Sequence, residues 1–377
     1  MTRWSTVAVA LAMGVAAANV AVGEAESPDH AAAKTRLAEW IPVGHSDNNS
    51  CARGLASMLQ FLGHDVSYDT IMGDSGQAFI IQGEEDRPNL HDGAVDVGWW
   101  PLEPVGMTIR LDFLEQTVGR ALPDVLPSHE AGGYDLYRAD PAAYYSEWVA
   151  PTVRASLAKG MPCIVQHGTW FVVTAQDDGS PPVTGAWACS DAGEIVRLSD
   201  GYPYNVLAPA AAMAKLDRAE ADADALRYAV ALHRDEVLGP DADVRRTDEL
   251  RHPEYGERWR TGVRSYAAWI KALRDTDNLG QARWHSNVVY QLGINRRSAV
   301  RYLRDMAQRN RDEVASHVES AAKRYEGVLE ALTRADTSQD AMASEDGRNA
   351  LVGVIEEIVA LEGAAAADMD EAADAIN

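Results

Sequence analysis

Cys51-Ala52-Arg53-Gly54-Leu55-Ala56-Ser57-Met58-Leu59-Gln60-Phe61-Leu62-Gly63 reads as one buried helix. Leu55, Met58, Leu59 and Leu62 recur at helical spacing and form an apolar stripe. Gly63 supplies the stop, because glycine accepts the left-handed conformation that ends helices. Cys51 then falls at or near the helix N-terminus, where unpaired backbone N–H groups and the macrodipole favour an anion. A thiol so placed has a lowered pKa and more thiolate at neutral pH, the condition for a nucleophile. The plainer reading is a buried cysteine acting as a small hydrophobe.

Outward from this helix, residues 160–165 read as a strand, 166–169 as a turn and 170–175 as a second strand rich in β-branched and aromatic residues. Asp177-Asp178-Gly179 closes the second strand with turn chemistry, and shorter strand pieces follow at 183–189 and 194–198. A nucleophile helix followed by an antiparallel sheet is an α+β arrangement. After Leu207 glycine thins out and Ala, Arg, Asp, Glu and Leu dominate, so the second half is mostly α-helical. Apolar stripes predict helices over 208–233, 255–273, 281–308, 312–332 and 346–374, packed as a bundle.

The chain has 377 residues and a net charge of −23, which suggests two domains and excludes a phosphate-backbone partner, so no nucleic acid is expected. Arg3, an apolar run over 7–18 and the small residues of Ala21-Val22-Gly23 form a secretory signal over 1–23. The expected location is therefore secreted or periplasmic. The apolar run is short for a bilayer span, Asn19 interrupts it, and no later segment is apolar enough to insert stably in a membrane. A polar, Ala-rich linker is expected over 24–36, then one domain over 37–207 and a helical one over 208–377. Cys163 and Cys189 either pair or stay reduced in the core, and Cys51 is the odd thiol.

Three segments together resemble the N-terminal domain of butirosin-biosynthesis-H-like proteins: Asn49-Ser50-Cys51-Ala52-Arg53-Gly54-Leu55-Ala56, Gly63-His64-Asp65-Val66-Ser67-Tyr68 and Gly73-Asp74-Ser75-Gly76-Gln77-Ala78-Phe79. The strands at 160–165 and 170–178 are similar to that family's sheet. The helical half fits through Thr261-Gly262-Val263-Arg264-Ser265-Tyr266-Ala267-Ala268-Trp269 and Arg296-Arg297-Ser298-Ala299-Val300-Arg301-Tyr302-Leu303. The resemblance implies a papain-like domain, with the nucleophile helix packed on an antiparallel sheet, followed by a mostly α-helical domain. It implies acyl chemistry through a cysteine thioester, resolved by an amine in an acyltransferase or by water in a hydrolase. A carrier-protein partner is disfavoured by export, which leaves a small-molecule or peptide substrate.

In papain-like folds the base is a His at the start of the central strand after the hairpin turn. Here that start reads Thr169-Trp170-Phe171, and the nearest imidazole is His167. His167 serves as base if the strand begins earlier; otherwise the chain is a non-catalytic relative that binds a ligand or protein. The Gln that usually lies six residues before the cysteine is replaced by His45, and Asn48, Asn49 and the Cys51 backbone N–H are further oxyanion donors. Capping is the competing role for the Asn pair, with Ser50 favoured as N-cap. Asp191, or Asp177 in its place, is the orienting group. Trp99 and Trp100 are candidates to line the cleft with Trp170, though core packing is the commoner fate of adjacent tryptophans. Glu84, Glu85, Asp86, His91, Asp92 and Asp96 match no metal-ligand motif, and the chain carries no phosphate loop or dinucleotide fingerprint. No metal and no cofactor are therefore expected.

Overall fold

Successive residues of two neighbouring strands join different cores, which divides the first half of the chain into layers. The structure is a computed structural model that describes residues 28–40, 42, 49–84, 95–96, 110–122, 133–176, 183–188, 190, 193–198, 201–237, 259–275 and 282–376. The expected signal over 1–23 lies outside them. In chain order come helices α1 (Pro28–Glu39), α2 (Ser50–Phe61) and α3 (Tyr68–Asp74), strands β1 (Gln82–Glu84) and β2 (Val95–Asp96), then α4 (Leu111–Val118), α5 (Gly133–Ala139) and α6 (Pro141–Tyr144). A π-helical turn (Tyr145–Val149) carries α6 into α7 (Ala150–Ala158). Strands β3 (Cys163–His167), β4 (Thr169–Gln176), β5 (Val183–Trp187), β6 (Val196–Arg197) and β7 (Asn205–Leu207) follow. The second half holds α8 (Arg218–His233), β8 (Trp259–Thr261), α9 (Gly262–Arg274), α10 (Ala282–Arg309), α11 (Asp312–Leu332), α12 (Gln339–Ala343) and α13 (Glu345–Ile376). No described helix is long and apolar enough to cross a membrane.

The five-stranded sheet has the order β6-β5-β4-β3-β7, with every pair antiparallel. Successive side chains of a strand point to opposite faces. Ile164, Trp170, Val172 and Leu207 share one core with α2. Cys163, Val165, Phe171, Val173 and Val206 share another with the π-helical turn and α7. The sheet is thus sandwiched between α2 and α7. Gly54 lets α2 approach closely: a Cβ there would come 3.1 Å from Ile164 Cγ2 and 3.6 Å from Ala188 Cβ. The β3–β4 connection turns at Gly168 alone, with φ +72°, so both strands run into what the sequence predicts as turn.

Three other expectations change. Residues 28–36 belong to helix α1 rather than to a linker. Helix α8 begins at Arg218, capped by the Asp217 side chain, and 208–217 is not helical. Trp259, predicted at the head of an amphipathic helix, lies in β8, which pairs with β1 and completes a three-stranded sheet, β2-β1-β8. The two halves therefore share a sheet and one core, and residue 207 divides the chain in composition but not in packing.

Charged groups join the halves. Arg296 on α10 is fully buried (0 % exposed) and pairs with Glu362 on α13 (2 % exposed). Its Nε donates to Glu362 Oε1 at 2.5 Å and its Nη2 to Oε2 at 3.0 Å. Nη1 donates to the carbonyls of Ala78 (2.9 Å) and Ile80 (3.1 Å), and Nη2 also reaches the Tyr266 hydroxyl at 3.4 Å. All five guanidinium N–H donors are thereby satisfied. Nearby, Asp74 accepts two bonds from Arg218 and one from the Tyr302 hydroxyl, and Asp69 accepts from Ser298 and Arg301. Burial works to raise the Asp222 carboxyl, but bonds from Arg309 and the charge of Arg218 outweigh it and hold it below the usual carboxylate range.

Removing one partner of a buried pair leaves an uncompensated charge. Glu362→Gln is expected to lower the unfolding free energy by about 3–5 kcal/mol, read as a drop in the urea midpoint at unchanged slope. Glu356→Gln, at an exposed carboxylate 3.3 Å from Arg274, should leave the midpoint near wild type. Equal small effects at the two sites would remove Arg296 as the anchor.

Candidate functional site

The site builds from the first turn of α2. Asn49 is extended (φ −88°, ψ 98°) and its Oδ1 accepts from the Ala52 N–H at 3.0 Å, so Asn49 is the N-cap and Ser50 is already helical. The Asn49 Nδ2 donates to Gln77 Oε1 at 3.4 Å, and its N–H donates to the Tyr68 hydroxyl at 3.3 Å. Asn49 is thus occupied in capping. Ser50, favoured as the cap from sequence, instead accepts the Trp170 N–H on its Oγ at 3.3 Å. That bond pins the start of β4 to the residue beside the cysteine.

Cys51 is 4 % exposed. Burial pushes its thiol well above the ordinary cysteine range, opposite to the lowered pKa that its position on the helix predicts. No described residue hydrogen-bonds the sulfur, and Cys51 is a free thiol. Cys163 is also free and buried, facing α7, and its thiol is pushed up to about 12 by burial. Cys189, the partner considered for it, lies outside the described residues.

The structure does not bring His167 to Cys51. Strand β3 does extend through His167, as the base assignment requires, but His167 has the parity of Cys163 and Val165, which face α7. Its Nδ1 lies 3.2 Å from the Tyr202 carbonyl oxygen. Gly201 makes room for the ring, since a Cβ there would come 2.7 Å from His167 Cε1. Among the other histidines with described side chains, His64 Nε2 accepts from Arg120 Nε, and His285 Nδ1 accepts from Trp269 Nε1. His233 packs near Gly363 and His317 pairs with Glu371. His45, Asn48, Trp99, Trp100, Asp177 and Asp191 lie outside the described residues, as do Glu85, Asp86, His91 and Asp92.

The face toward α2 carries Trp170 instead of an imidazole. Trp170 is directly opposite Gln166 on β3, and Gln166 is directly opposite Asn205 on β7. Opposed residues of an antiparallel pair project from the same face. The three make one cross-strand row facing α2, and all are buried: 2 %, 1 % and 4 % exposed in that order. Trp170 Nε1, Gln166 Oε1 and Asn205 Oδ1 have no hydrogen-bond partner among the described residues. Sequence reading missed Gln166 and Asn205. Had the hairpin been drawn with Gly168 as its whole turn, alternation from Ile164 would have put Gln166 on the α2 face.

On the bundle surface, His317, Asp368 and Glu371 bring one ligand atom each within 4.8 Å of one another. His317 Nδ1 is 3.0 Å from Glu371, while Asp368 takes a bond from Ser320 and lies 3.7 Å from Arg324. The group forms a network of polar contacts between α11 and α13.

No family model matches this chain, and no curated protein matches its sequence.

A sulfur held neutral by burial has a definite reactivity. Below pH 9, iodoacetamide should label Cys51 of the folded protein at least tenfold more slowly than free cysteine, with the rate rising in urea. Peptide mapping by mass spectrometry separates Cys51 from the other thiols. Labelling faster than free cysteine at mildly acidic pH would mean a depressed thiol pKa.

Proposed function

We propose that the chain is an exported papain-like relative that binds a ligand beside α2 without cleaving it. One observation carries this reading: Trp170, tied through its N–H to Ser50, stands on the α2 face where the resemblance calls for an imidazole, and His167 faces the other way. A thiol enzyme needs a group that takes up the thiol proton and returns it to the leaving group. An indole N–H only donates, and it does not titrate in the useful range. Burial of Cys51 acts in the same direction, because the thiolate is the nucleophile. Acyl hydrolysis or transfer through Cys51 is the competing reading, and it requires a base from residues other than these. The secretory pattern at 1–23 supports export, which separates the chain from cytoplasmic acyl carrier proteins.

Two measurements test the proposal. The wild-type chain should show no Cys51-dependent turnover of peptide anilides or aminoacyl thioesters, measured against Cys51→Ala. Trp170→His should place an imidazole toward the thiol and speed iodoacetamide labelling of Cys51 about tenfold at neutral pH, the equivalent of one pKa unit. Turnover by the wild type that Cys51→Ala abolishes would overturn the binding reading.

A further inference from the structure

We infer that the row Trp170–Gln166–Asn205, at the first turn of α2, is a recognition site for an uncharged amide, a carboxamide or ureido group. The inference rests on the non-catalytic reading above and names the ligand of that same site.

Buried polar atoms are nearly always paired, because an unpaired one loses its bonds to water and regains nothing. Three unpaired atoms on one row, on three adjacent strands, are a concentrated exception. The Trp170 end of the row lies beside a helix start, where the N-terminal end of α2 favours electron-rich oxygen. The Trp170 backbone N–H to Ser50 bond fixes β4 against that helix start, and Trp170 itself is buried there.

The chemistry of the row selects the ligand. Trp170 Nε1 can only donate, so it asks for an acceptor such as a carbonyl oxygen. Gln166 and Asn205 present carbonyl oxygens that ask for N–H donors. Neighbouring strands are about 4.8 Å apart, so the row spans roughly 10 Å and meets an acceptor followed by donors along one line. An amide or urea carries that sequence of groups in one plane. The row itself carries no charge, and an ion brought into it would be desolvated without a counter-ion. Carboxylates and ammonium groups are therefore rejected. The site forms no bond with its ligand and transfers no proton.

The test uses the 15N-labelled full chain and 2-imidazolidinone, a cyclic urea, as the probe. The indole N–H resonance of Trp170 is assigned by its loss in Trp170→Phe. Titration should shift that resonance saturably, while acetate and methylammonium at the same concentrations should not move it. Gln166→Met and Asn205→Leu should each weaken the response at least tenfold. No saturable shift, or an equal shift in both variants, would overturn the assignment and leave the row as a hydrated patch only. If Gln166→Met fails to fold, Asn205→Leu and the wild-type titration decide the question. Thiol labelling separates the two proposals. A saturable shift with Cys51-dependent turnover removes the non-catalytic reading and keeps the ligand class. A slow thiol with no shift does the reverse.

Discussion

Arg296 holds a full positive charge where no water reaches it, and the rest of the fold is arranged around that fact. Its donors are divided between Glu362 on α13 and the Ala78 and Ile80 carbonyls in the first half of the chain. An arginine head is planar and its five donors are fixed in direction, so it defines a geometry as well as a charge. Segment 69–80 is held at two further points, Asp69 with Ser298 and Arg301, and Asp74 with Arg218 and Tyr302. That segment follows α2 after the turn at Gly63, so the helix that carries Cys51 is positioned from both sides. The sheet sets its distance and the bundle sets its orientation. Buried ion pairs are weak sources of net stability, because desolvation consumes most of the attraction. We read this one as a device for register: a slipped packing would leave two charges and two carbonyls without partners.

The same segment shows what sequence reading reaches and what it does not. Gly73 to Phe79 stands out as one of the three segments that carry the resemblance. In the fold it is the joint between the halves. Arg218, the partner of Asp74, lies 144 residues away, a separation that no periodicity encodes. Local patterns fared better. The stripe Leu55, Met58, Leu59 and Leu62 did mark a helix, the β-branched run after Gly168 did mark a strand, and the long stripes of the second half did mark α10, α11 and α13. Each of those signals is a repeat within one element. Trp259 failed because it fits a helical spacing with Val263, while its actual partner is β1, far back in the chain. Residues 28–36 failed because a polar, Ala-rich composition is equally that of a linker and of an exposed helix.

At the site the decisive quantity was strand parity, and a one-residue change in the turn controls it. With the turn drawn over four residues, His167 belongs to neither strand and can be aimed anywhere. With Gly168 as the turn, His167 is a strand residue and its face is fixed by Cys163 and Val165. A register shift of one would exchange the whole set of faces, turning His167 toward α2 and Ile164 toward α7. The tertiary core does not allow that exchange, since Ile164 fills the space beside Gly54.

Two opposing effects act on the Cys51 sulfur, and their sizes decide between them. A helix N-terminus stabilises an anion by about 0.3–1 kcal/mol when exposed, and by up to about 2 kcal/mol in favourable partly buried sites. Full burial shifts titrating groups by up to about 3–5 pKa units, each worth about 1.36 kcal/mol. Desolvation therefore wins unless a positive partner stands beside the sulfur, which is the part an imidazolium plays in thiol enzymes. Trp170 on the α2 face supplies no such charge. It supplies one N–H and a large apolar ring, which excludes water and deepens the desolvation. An indole on that face thus offers neither a proton carrier nor a charge to offset desolvation of the thiol. The role we propose for the head of α2, holding an uncharged amide rather than attacking one, rests on these two effects acting in the same direction.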